Sequence, residues 1–75
     1  MIFCMKEIIK RKNNFAHNLK YYRKKNLMSQ GELADKLNVT HQAVSYYENG
    51  LRTCSFDMLI EIAELFGIST DDLLI

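Results

Sequence analysis

Proline is absent from this chain, glycine occurs three times, and tryptophan is missing altogether. Proline breaks helix interiors and glycine weakens them, so nothing along these 75 residues forbids a wholly helical fold. Cysteine is scarce too. Cys4 and Cys54 form no CxxC pair and share no zinc-ligand spacing with His17 or His41. That spacing excludes a disulfide scaffold and a zinc finger and predicts free thiols, no metal and no cofactor, in the cytoplasm. No apolar run is long enough to cross a bilayer, and the apolar start MIFCM is too short for a signal-peptide core. At 48% hydrophobic and 25% charged the composition is that of one globular domain, near the lower size at which a single core suffices.

Charge of one sign is also lacking, with a net value of only +1, but the small total hides a division. Residues 6–25 carry Lys6, Lys10, Arg11, Lys12, Lys20, Arg23, Lys24 and Lys25 against Glu7, a surplus of +7. Residues 26–75 carry Lys36 and Arg52 against eight acids, a deficit of −6. Such a chain has one basic end and a directed field, which suits an acidic partner such as nucleic acid. The plainer alternative is that Lys6 to Lys12 form a solvated basic tail.

What the chain does contain is most informative between Ser29 and Gly50. Ser29 followed by Glu32 is a capping box and predicts a helix start. Leu33, Ala34 and Leu37 supply its apolar face. Asn38 then suits the left-handed residue that ends a helix. Val39 is a lone apolar peg, and Thr40 is a second N-cap. Asn49-Gly50 ends the helix that Thr40 opens. So short a connection makes the two helices cross steeply, with the small Ala34 allowing close approach. In the second helix Val44 and Tyr47, flanked by Ala43, face inward. His41, Gln42, Ser45, Tyr46 and Asn49 face outward, an uncharged arc of hydrogen-bonding groups where a solvated helix would more often carry Lys and Glu.

Three more helices follow from periodicity and caps. Phe15, Leu19 and Tyr22 predict a first helix over Asn14–Asn26. Ser55 caps a fourth that buries Leu59, Ile62, Ala63 and Phe66 and stops at Gly67. Ser69 with Asp72 is another capping box, opening a short fifth helix whose Leu73 and Leu74 close the core.

The ordered combination SQGELADKL…V…AVSYYENG resembles the Cro/C1-type helix-turn-helix family, the lambda-repressor-like DNA-binding domains. Asn18 to Arg23 resembles the family's first helix, and Ser55 to Leu74, with its IS-x-DDLL ending, its fourth and fifth. The resemblance covers residues 13–75 and implies an all-α, compact five-helix bundle with helix 3 in the major groove and helix 2 across the backbone. Residues 1–12 stand apart as a basic arm or an extension of helix 1. Two positions depart from the family pattern. Leu27 stands where Gly or Asn commonly closes helix 1, so Asn26 is expected to take the left-handed conformation. Cys54 stands where a proline is usual. The resemblance also implies a structural ion pair between Arg23 and Glu48, with a phosphate contact as the alternative for Arg23.

Group chemistry assigns the remaining roles. Gln42 is the strongest base reader, because a carboxamide bonds adenine at N6 and N7 together. His41 donates either to a guanine acceptor or to a phosphate. Thr40 offers a methyl to thymine, and Ser45 and Tyr46 reach base edges or the far backbone; the plainer reading of Tyr46 is a partly packed surface aromatic. Gln30, at the positive end of helix 2, is expected to hold a phosphate, as are Asn49, Arg52 and Lys12.

One such helix reads few base pairs, so a homodimer on a palindrome with half-sites about 34 Å apart is expected. Phe56, Ile60, Ile75, Ile2, Phe3, Ile8 and Ile9 are the apolar residues left for its interface. With Ile75 the last residue, the expectation is a minimal transcriptional regulator, a repressor without a small-molecule ligand. The competing reading is a protein-binding module such as an antitoxin. An enzyme is not expected, since the sequence places no nucleophile beside a base and forms no phosphate-cradling glycine loop.

Overall fold

Each helix of the bundle contributes one fully buried side chain to a common core: Leu19, Leu33, Val44, Ile62 and Leu73. The structure, a computed structural model, describes the backbone of residues 2–75 and the side chains from Asn14 onward. Among these residues there are five helices and no strand: α1 Ile2–Lys25, α2 Gln30–Leu37, α3 His41–Glu48, α4 Phe56–Phe66 and α5 Thr70–Leu74. α2 packs on α3 and α4, while α1 packs on α3 and α5, and α5 closes against α4.

The starts of α2 to α5 are local events. Ser29, Thr40, Ser55 and Ser69 each accept the backbone N–H three residues on, and Ser29–Glu32 and Ser69–Asp72 are complete capping boxes. α2 ends on Asn38 at φ 60°, and α4 on Gly67 at φ 69°. Both satisfy end carbonyls through left-handed closure.

The end of α1 corrects the expectation that Asn26 turns the chain. Asn26 stays a helical cap: its backbone N–H and its side-chain amide both donate to the Tyr22 carbonyl, at 3.0 and 2.7 Å. The left-handed residue is Leu27, at φ 58°. Met28 N–H donates to the Arg23 carbonyl at 3.1 Å, and Arg23 Nη1 returns a bond to the Met28 carbonyl at 2.8 Å. That reciprocal closure, with Met28 packed on the core, puts the reversal one residue beyond Asn26. Leu27 bears the cost with its side chain 89% exposed.

α1 also begins earlier than the Asn14–Asn26 span that periodicity predicts. The interface and basic residues proposed between Ile2 and Lys12 lie outside the described side chains. Phe66 and Leu74 are half-buried at the core edge rather than within it. Phe66 stacks on Tyr22, with ring centroids 6.0 Å apart. Two asparagines of α1 do work that periodicity does not show. Asn14 Nδ2 donates to the Ile75 carbonyl at 2.7 Å, and Asn18 Nδ2 to the Asp72 and Leu73 carbonyls, each at 3.2 Å. They satisfy carbonyls that the short α5 leaves unpaired.

Candidate nucleic-acid interface

α3 divides by burial as its periodicity requires. Val44, Tyr47 and Glu48 are buried, His41, Gln42 and Asn49 are exposed, and Ser45 and Tyr46 are half-buried at the edge of the outer arc. Tyr47 meets Phe15 edge to face at 6.3 Å between centroids, which seats α3 on α1. The only acid of α3 is therefore withdrawn from its surface.

Glu48 is held by a two-point ion pair. Arg23 Nε donates to Oε2 at 2.6 Å and Nη2 to Oε1 at 3.1 Å, with both side chains almost wholly buried. A fork-on-fork pair of this kind offsets the desolvation of both ions, but only while both are present. The pair ties the end of α1 to the end of α3. Among the described residues no buried side-chain polar atom lacks a partner.

A third residue joins this pair. Gln30 Nε2 donates to Glu48 Oε1 at 3.1 Å, and Gln30 Oε1 lies 2.9 Å from His41 Nε2. Gln30 and His41 are the first residues of α2 and α3, each following its N-cap. The steep crossing of the two helices brings those starts together. Sequence reading treated Gln30 and His41 as separate contacts. Their shared place after an N-cap, in a motif whose helices cross, was the available signal.

The rest of the outer arc forms a second set of contacts. Gln42 Nε2 donates to the Tyr46 hydroxyl at 2.6 Å, and the Arg52 guanidinium stands 5.5 Å from the Tyr46 ring centre. Asn49 Nδ2 donates to Ser45 Oγ at 3.3 Å. Thr40 Oγ1 accepts the Ala43 N–H at 3.1 Å, so its hydroxyl serves the cap, and the residue is exposed. Thus Arg23, Glu48, Gln30 and His41 form one network, and Gln42, Tyr46 and Arg52 another. Lys12 lies outside the described side chains.

Elsewhere the chemistry is quiet. Burial pushes the Cys54 thiol above its ordinary value, which disfavours the nucleophilic thiolate. Among the described residues no three His, Cys, Asp or Glu side chains converge, and no helix is long and apolar enough to cross a membrane.

Comparison with known proteins bears on the whole arrangement. A helix-turn-helix family profile matches residues 19–73. The chain is 40% identical over 60 residues to the uncharacterized HTH-type transcriptional regulator YqaE of Bacillus subtilis (strain 168), covering 80% of this chain and 52% of that protein. It is 36% identical over 59 residues to the uncharacterized HTH-type transcriptional regulator MJ0272 of Methanocaldococcus jannaschii, covering 79% of this chain and 89% of that one. The HTH-type transcriptional regulator ImmR of Bacillus subtilis (strain 168) is 39% identical over 61 residues, 81% of this chain and 48% of its own length. The chain therefore spans about half the length of the two Bacillus relatives. Among solved structures, apo-HppE superposes with a TM-score of 0.78 at 31% identity, over 85% of this chain and 36% of that one.

Proposed function

The chain belongs to the Cro/C1-type helix-turn-helix family, and from that premise we propose that it binds double-stranded DNA sequence-specifically as a small transcriptional regulator in the cytoplasm. In this reading α3 enters the major groove and α2 lies across the backbone. One observation carries it: α3 exposes a neutral arc of donors and acceptors, because its one acid is buried under Arg23. A carboxylate on that face would repel phosphates, whereas His41, Gln42, Ser45 and Tyr46 suit base edges. Arg52, Asn49 and Gln30 contact phosphates and set register in this reading. The basic side chains of residues 6–25, Lys12 among them, add the sequence-independent attraction.

The regulator acts as a repressor, and as a homodimer on a palindrome. Phe56 and Ile75, 71% and 81% exposed, and the half-buried Ile60 are the described apolar residues available to the interface. The role is binding rather than catalysis, as membership of a helix-turn-helix family favours.

Selection from a pool of random duplexes, repeated at two salt concentrations, tests the reading. Recovery of a palindrome supports it. Salt-sensitive binding with no enriched sequence would overturn it and favour a protein-binding module of the antitoxin kind.

A further inference from the structure

We infer that the buried Arg23–Glu48 pair, acting through Gln30, fixes the His41 imidazole as a hydrogen-bond acceptor, so that His41 reads the exocyclic amine of adenine or cytosine and not an acceptor atom of guanine or thymine. The inference rests on the DNA-binding reading above and specifies one position within it.

Arg23 is a donor only, and a carboxylate held at two points by a guanidinium is ionised and accepts only. Glu48 Oε1 therefore dictates how the Gln30 amide lies, with the nitrogen at 3.1 Å from the carboxylate and the oxygen turned away. That oxygen faces His41 Nε2 at 2.9 Å. A carbonyl oxygen cannot donate, so the hydrogen between them belongs to Nε2. Neutral imidazole carries one N–H, and spending it on Gln30 leaves Nδ1 with a lone pair.

His41 is exposed at the first turn of α3, the end of a recognition helix that meets base edges. In the major groove only the N6 amine of adenine and the N4 amine of cytosine donate, while guanine and thymine show acceptors there. A lone pair at Nδ1 matches the first two and is repelled by the others. The expectation from residue type alone, that His41 donates to guanine or to phosphate, requires an outward N–H that neutral His41 has already committed. A base preference is thus set by a carboxylate that is itself buried. Gln30 and Glu48 are positioning residues here, and His41 is the reader.

Two measurements at pH 8, where a free imidazole is neutral, decide the matter. The first is nitrogen NMR of the free protein labelled at histidine. His41 should show the Nε2–H tautomer alone, and Gln30→Met, which leaves the Arg23–Glu48 pair whole, should give a mixture. The second is duplex selection with wild type, His41→Ala and Gln30→Met, the position relaxed by His41→Ala marking the base that His41 reads. In duplexes of the selected sequence, removing the exocyclic amine of adenine or cytosine at that base pair should weaken wild-type binding roughly tenfold or more relative to His41→Ala, and Gln30→Met should narrow that loss to within about twofold. An Nδ1–H tautomer, or a wild-type loss on replacing guanine N7 by carbon at that base pair with none on removing the amine, would overturn the inference. Enrichment of no sequence would defeat the DNA reading and the base preference together, and the tautomer would still report whether the relay stands.

Discussion

Helices α3 and α4 are alike on the side that meets the core and unlike on the side that faces out. Each opens on a hydroxyl cap, Thr40 or Ser55, and each buries a stripe at helical spacing, Val44 and Tyr47 in one, Leu59, Ile62 and Ala63 in the other. α4 leaves Asp57, Glu61 and Glu64 exposed, whereas α3 hides Glu48 and shows neutral polar groups. The apolar stripe does not explain the difference, since each helix buries one. On the proposed reading, what each outer face meets accounts for it. Water solvates the acids of α4 at little cost, and a phosphate backbone would repel them on α3.

The comparison can be broken most forcefully at the acids themselves. Glu48→Ala leaves a buried guanidinium unpaired and should cost about 3–5 kcal/mol, comparable to the whole stability of a domain this size. Glu61→Ala on α4 should stay within about 0.5 kcal/mol. Denaturant unfolding of the two variants measures both, and equal losses would show that the acids do not differ in kind.

The outer face of α3 is tested next. Gln42→Ala should lose about 1–3 kcal/mol of discrimination at one base position per half-site, read by competition between duplexes, while the melting temperature holds. A uniform loss over all sequences would make Gln42 a backbone contact instead. The caps should behave alike in both helices: Thr40→Ala and Ser55→Ala should each cost about 1 kcal/mol in denaturant unfolding.

Two smaller changes sharpen the picture at the edges. Leu27→Gly should stabilise the fold by about 1 kcal/mol, because glycine adopts the left-handed conformation without the steric cost that leucine bears. An unchanged unfolding midpoint would mean that the exposed leucine contributes something its contacts do not show. Arg52→Ala should weaken all duplexes alike and lower the salt slope of binding by about one, as a phosphate contact on one edge of the arc requires.

Much of this was legible along the chain. The capping boxes at Ser29 and Ser69, the left-handed Asn38 and the inward stripe of α3 all act within about one helical turn, so neighbouring residues suffice to specify them. Less legible were the partners of Asn14 and Asn18, because the α5 carbonyls they satisfy come from the other end of the chain. The site was read in pieces. Residue types pointed to Gln30, His41 and Gln42. The i, i+4 spacing of Gln42 and Tyr46 on α3 links that pair, whereas no local spacing links Gln30 to His41 across two helices.

The amino-acid order by itself determined where α2 to α5 begin, which face each turns inward, and that α3 shows hydrogen-bonding groups outward, since these depend on local caps and on a fixed angle per residue. Only the tertiary structure decided that Leu27 and not Asn26 reverses the chain, because the closing bonds between Arg23 and Met28 set that choice. It alone also joined Arg23, Glu48, Gln30 and His41 into one line of donors and acceptors. Those three links span three helices, and a hydrogen bond's direction depends on which partner the fold brings within reach.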